Sequence, residues 1–200
     1  MRNYSKETEM IIENNERLGV KPALLLHCCC APCSSYCIDY LHKYFKITLF
    51  YYNPNIYPPE EYQHRVNEVR RLVNEMGLTD EVSVIEGENN SEVFYNAVRG
   101  MEHVPEGRER CFVCYELRLR ETAKLAREMG FDYFTTTLSI SPLKNAAKIN
   151  ETGEMLADEY GVKHLPSDFK KKNGYKRSVE LSKQYNLYRQ DYCGCVYSRR

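Results

Sequence analysis

The chain has 200 residues, 42% hydrophobic and 28% charged, which suits one globular domain with a single core and leaves little for a second. Lysine plus arginine equals aspartate plus glutamate, so no whole-protein field draws the chain to a nucleic acid or a membrane, and any polyanion contact must come from a local patch. The opening MRNYSKETEMIIENNERLG holds no apolar run long enough for a signal peptide or anchor, no later segment approaches membrane-spanning length, and the expected location is the cytosol.

In chain order, the pattern predicts a helix over about Ser5 to Leu18, then a short buried strand from Ala23 to His27 that runs straight into Cys28-Cys29-Cys30. Ser34 is placed to cap a helix through about Tyr44, and Lys46 to Tyr52 forms a second strand rich in β-branched and aromatic residues. Pro58-Pro59 starts a long helix with apolar Val66, Val69, Val73 and Met76, stopped at Gly77. A strand at Val82 to Ile85, a short helix at Ser91 to Val98 and a helix from about Cys111 to Met129 follow. Asp132 to Thr137 is the next strand, Pro142 opens a helix to Tyr160, Val162 to Leu165 is a brief last strand, and a helix at Ser178 to Leu187 precedes the tail Cys193-Gly194-Cys195. The alternation predicts a single Rossmann-like α/β domain over residues 1–200, a parallel sheet of four or five strands with helices on both faces.

Ligands of such sheets sit beyond the carboxyl ends of the strands. There, nucleotide-binding sheets carry glycine, but this chain has none between Pro22 and Gly77, and thiols take that place. Cytosolic thiols stay reduced, so nine cysteines, an odd number bunched in three short clusters, read as metal ligands or redox groups rather than a disulfide framework. Cys111 and Cys114 share one face of the first turn of their helix, whose positive end favours thiolates. Adjacent Cys29 and Cys30 fit a zinc ion poorly, since both would have to bend onto one centre, whereas a four-iron cube offers each cysteine its own corner. Zinc stays open as the alternative. Cys33 follows in the same run, the Cys193/Cys195 pair suits a second metal or a readily reduced disulfide, and Cys28 and Cys37 read as small apolar residues. His27 and Tyr192 adjoin the cysteine motifs as candidate proton donors, although each is more often a hydrogen-bonding core residue, and Arg110 and Arg118 flank the CxxC. The basic stretch Phe169 to Arg177 and the aromatic loop Tyr51 to Tyr57 are candidate contacts for phosphates and for a stacked base.

These motifs resemble the cobalamin-independent epoxyqueuosine reductases, the QueH family, over nearly the whole chain: HCCCAPCS (His27 to Ser34), FYYNPNIYPPEEY (Phe50 to Tyr62), RCFVCYELRL (Arg110 to Leu119), TTTLSISPLKN (Thr135 to Asn145) and DYCGCVYS (Asp191 to Ser198). The resemblance implies a [4Fe-4S] cluster on Cys29, Cys30, Cys111 and Cys114, a redox-active pair at Cys193 and Cys195, and reduction of the epoxide of epoxyqueuosine to an alkene at the wobble position of transfer RNA. An additional mononuclear iron near Cys33 and the tail pair, with Asp191 as a ligand or acid, is a further expectation, as is a separate electron donor. A thiol-based sulfur-transfer enzyme for transfer RNA and a zinc-stabilised interaction domain are the competing readings; the first lacks its expected SGGxDS loop.

Overall fold

A computed structural model describes residues 2–199. Five strands, β1 (Ala23–His27), β2 (Lys46–Tyr51), β3 (Val82–Glu86), β4 (Tyr133–Thr136) and β5 (Lys163–His164), form one parallel sheet in the order β3-β2-β1-β4-β5. Among the described residues seven α-helices accompany it: α1 (Tyr4–Arg17), α2 (Ala31–Leu41), α3 (Pro59–Glu75), α4 (Ser91–Ala97), α5 (Glu109–Glu128), α6 (Ala146–Tyr160) and α7 (Gly174–Gln184).

The central strand explains its own composition. Leu24 and Leu26 point into one core with Ile38 of α2 and Val66 and Val69 of α3, while Leu25 points the other way, toward Leu119 of α5 and Ile149 of α6. All three leucines are fully buried, as a strand covered on both faces requires, so the run reads as continuously apolar. Among the described residues no helix is long and apolar enough to cross a membrane.

Most boundaries shift by a few residues from the sequence reading, and three helix starts differ most. Helix α2 starts at Ala31, with Cys30 as its N-cap and Pro32 in the first turn, because proline at a helix start presets φ and has no N–H to satisfy. Ser34 therefore lies inside the helix, its Oγ donating to the Cys30 carbonyl at 2.8 Å. Helix α6 starts at Ala146, capped by the Asn145 side chain accepting from the Lys148 N–H, and Pro142 sits in the turn before it. Helix α7 begins at Gly174, so Tyr175 to Arg177 of the basic stretch are helical; a Cβ at Gly174 would lie 1.9 Å from the Phe169 carbonyl oxygen.

His164, on edge strand β5, is buried beside Phe134 and Gly153, and neither ring nitrogen finds a hydrogen-bond partner among the described residues. Burial pushes it from 6.5 down to about 3, so the unfolded chain binds the extra proton between those values. This stability is full above about pH 6.5 and is lost as pH falls. His164→Leu is expected to reduce the drop in urea midpoint between about pH 7 and about pH 5; an unchanged drop would show that His164 takes no part.

Candidate active site

The chain leaves β1 for β2 on one side and later returns to set β4 on the other, so the order reverses between β1 and β4. At such a switch point the loops diverge and open a crevice beyond the carboxyl ends. His27 pins the crevice floor: its Nε2 donates to the Tyr52 carbonyl at 3.1 Å and its Nδ1 lies 2.8 Å from Thr136 Oγ1. Burial pushes His27 down to about 4, and it is a neutral structural link between β2, β1 and β4 rather than a proton donor.

Cys28 continues the ladder, its N–H donating to the Phe50 carbonyl, and it is fully buried in the core, as is Cys37 of α2. The next turn brings the sulfurs of Cys29, Cys30 and Cys33 within 4.8 Å of one another. Two come from the extended residues after β1 and the third from the first turn of α2, so the early helix start is what closes the trio. The neighbouring sulfurs of Cys30 and Cys33 hold the Cys29 thiol well below its usual range. The Cys29 anion in turn pushes Cys30 up to about 12 and Cys33 upward. A cation set among these three sulfurs would favour the loss of their protons.

Cys111 and Cys114 lie in the first turns of α5, where Cys111 Sγ accepts from the Gly107 N–H at 3.2 Å. Burial raises both thiols, Cys114 to about 11. They line a narrow pocket with Cys193 and Cys195 of the tail. The four expected cluster ligands therefore fall into two groups, Cys29/Cys30 with Cys33 and Cys111/Cys114 with the tail pair. Arg118 lines the cavity of the first group and the pocket of the second. It is 1% exposed, its Nε donates to the Cys114 carbonyl at 3.1 Å, and its Nη2 is buried without a partner among the described residues. Arg110 is used differently: it donates to the carbonyls of Met101, Glu102 and Val104 and stacks on Tyr197, shaping the loop before α5.

The tail is held over the site by α3. Arg65, buried and paired with Glu61, donates to the Cys193 carbonyl at 3.1 Å, and the Gly194 carbonyl accepts from the Tyr57 N–H at 2.9 Å. Tyr192 Oη donates to the Tyr57 carbonyl at 2.6 Å, which gives that hydroxyl a structural partner. Of the aromatic loop, Tyr51 and Tyr52 are buried and only Tyr57 is exposed, so its first two tyrosines serve the core instead of stacking on a base. The basic stretch is partly compensated, Lys170 pairing with Asp168 and Lys172 with Glu9.

Together these elements enclose a cavity of about 430 Å³ lined by Cys29, Cys30, Cys33, Cys193, Asp191 and Lys144, with Arg118 at its inner wall. Lys144 and Arg65 were not singled out by sequence: a lone lysine after Ser-Pro-Leu and a helical arginine four residues after Glu61 look like ordinary surface positions.

Fold and site define an α/β domain with a thiol-lined crevice at the sheet's switch point, where nucleotide-binding sheets carry a phosphate-binding loop. A family profile described as "Epoxyqueuosine reductase QueH" matches residues 24–200. Proteins of that name resemble the chain closely: that of Streptococcus pyogenes is 43% identical over 99% of this chain and 78% of its own length, that of Staphylococcus epidermidis 44% over 98% and 84%, and that of Thermotoga maritima 39% over 88% and 89%. The chain belongs to the QueH family of epoxyqueuosine reductases and is an oxidoreductase.

Proposed function

We propose that the whole chain acts as one cytosolic domain that reduces the epoxide of epoxyqueuosine in transfer RNA to the alkene of queuosine, the last step of queuosine synthesis. The observation that carries this reading is the cavity of about 430 Å³ in which Cys29, Cys30, Cys33 and Cys193 converge at the switch point. Its size suits one modified nucleoside extruded from the RNA.

Cys29, Cys30, Cys111 and Cys114 would hold a [4Fe-4S] cluster. The donor set suits it: thiols dominate both groups, and the buried, incompletely partnered Arg118 between them supplies the cation that an anionic thiolate-bound centre needs. Such a cluster supplies electrons one at a time.

The remaining chemistry belongs to the chain's own side chains. Conversion of an epoxide to an alkene and water consumes two electrons and two protons. Oxidation of the Cys193/Cys195 dithiol to a disulfide releases two of each, so the balance closes within the site. A separate electron donor then restores the dithiol. Cys33 and Asp191, lining the same cavity, bind the oxygen-bearing ring, and with the tail pair they are the candidate donors for an additional mononuclear iron. That iron requires anaerobic protein to contain more iron than sulfide.

Anaerobically reconstituted protein with a reductant is expected to convert epoxyqueuosine in transfer RNA to queuosine by mass spectrometry, and Cys111→Ala is expected not to. Substrate unchanged by the wild type, or full conversion by the variant, would overturn the reading.

A further inference from the structure

We propose that the rim of the cavity docks the single-stranded loop of the transfer RNA, with Tyr175 stacking on the nucleotide next to the extruded one and Arg189 holding the phosphate beside it. This rests on the cavity taking the modified nucleoside of that RNA.

An extruded nucleoside stays joined to its neighbours through the sugar–phosphate chain, so a nucleoside in the cavity leaves its flanking nucleotides at the mouth. Tyr175, in the first turn of α7, and Leu143, in the turn before α6, line the cavity and are 41% and 73% exposed. Single exposed apolar side chains are ordinary, but two from separate elements on the rim of one cavity form a patch of the kind that binds. The backbone under Tyr175 is fixed, since Ser178 Oγ donates to its carbonyl at 2.7 Å and Gly174 packs against Phe169 and Tyr36. Its ring is left open to water and offers a π-face that any base can stack on.

The tail supplies the charge that a neutral chain lacks overall. Tyr188 is pinned to α3 at both ends, its N–H donating to Glu68 Oε2 and its hydroxyl to Glu61 Oε2, each at 3.1 Å. The next residue, Arg189, is therefore carried to the cavity lining on a held backbone. Arg189 is exposed and, among the described residues, pairs with no carboxylate. Arg199 is a second such cation, its guanidinium 5.6 Å from the ring centroid of Tyr192 on the same tail. The carboxylates of the lining are Asp191, read above with the reacting ring, and Glu106. The loop that bears Glu106 abuts the Leu143 turn instead, a Cβ at Gly107 lying 3.9 Å from the Leu143 carbonyl oxygen. Backbone phosphates are accordingly drawn to the arginines of the tail and away from Glu106.

Anaerobic holoprotein is titrated at several salt concentrations into a fluorescent RNA hairpin carrying epoxyqueuosine at the wobble position of its loop, and binding is read by anisotropy. Tyr175→Ala is expected to weaken binding about tenfold, and Tyr175→Phe to stay within about twofold of wild type. Arg189→Ala is expected to lower the slope of log affinity against log salt by about 0.7, and Arg189→Lys to keep it. Lys21→Ala, an exposed site before β1 and so at the opposite end of the sheet, should change neither. A hairpin with thiouridine beside the modified nucleotide, irradiated with wild-type holoprotein, should crosslink to Tyr175, a measurement that needs no variant. Unchanged affinity in Tyr175→Ala, an unchanged slope in Arg189→Ala, an equal effect of Lys21→Ala, or crosslinks only outside the rim would overturn the inference. Binding through Tyr175 and Arg189 with the epoxide left intact would instead remove the reductase reading and leave the docking site standing.

Discussion

Arg118→Met is expected to lose most of its bound iron and to turn over at least about 100-fold more slowly than wild type. Methionine has a comparable length and packs well, so the change removes charge and hydrogen bonds more than volume. Arg118 is almost fully buried, and among the described residues its guanidinium hydrogen-bonds only to the Cys114 carbonyl and, at 3.5 Å, to Asn53 Oδ1. An unpaired buried cation is costly, and the same cation beside several thiolates is strongly favourable. Removing one partner of a buried charge pair typically costs about 3–5 kcal/mol, which matches the expected loss. The two forms of the protein should respond with opposite sign: iron-free Arg118→Met should be no less stable than iron-free wild type, while the iron-loaded form should be clearly weaker. Equal iron retention and turnover would show that Arg118 is a packing residue only.

Gly194→Val is expected to reduce turnover by about 100-fold while lowering overall stability by only about 1–2 kcal/mol. Gly194 has φ of +130°, where side chains are strained, and a Cβ there would stand 3.0 Å from Ile56 Cγ1, 3.2 Å from Arg65 Nη1 and 3.3 Å from Asn55 Nδ2. The Arg65 contact matters most, because that group also holds the Cys193 carbonyl. Displacing it moves the tail sulfurs off the cavity, and a displacement of about 1 Å at reacting atoms costs about 100-fold. Cys195 of the tail packs in a small third cluster with Phe94, Val98 and Cys114, outside the two main cores, so the melting temperature should move modestly. A large stability loss with normal specific activity of the folded fraction would contradict this account.

Most of the fold was legible because it is built from local signals. The apolar run Ala23 to His27, the proline start of α3 and the glycines after α3, α5 and α6 mark elements that survive with shifts of a few residues. The errors arose where two signals compete within one turn. Ser34 and Pro32 both announce a helix start and proline wins; Pro142 and Asn145 do likewise and the side-chain cap wins. Each decision moved a residue of the candidate site, placing Cys33 beside Cys29 and Cys30 in one case and Lys144 on the cavity-lining turn in the other.

The candidate site was legible as to which cysteines line it, and much less so as to who touches whom. Cysteine spacing reveals pairs along the chain, but the approach of Cys193 to Lys144, 49 residues away, depends on α3 clasping the tail. His27 illustrates the reverse case. Its place next to the cysteines left an acid and a hydrogen-bonding core residue both open, and the contacts with Thr136 and Tyr52 show it holding strands together.

Iron and acid-labile sulfide, counted in protein purified without oxygen, test the central claim most directly. The expected result is a brown protein with about four sulfide and four iron of the cluster per chain, plus the further iron of the mononuclear site where that is filled, the cluster's iron and sulfide being lost together in Cys29→Ala and in Cys111→Ala. A colourless, iron-free protein carrying stoichiometric zinc would contradict it and leave the thiols a purely structural role.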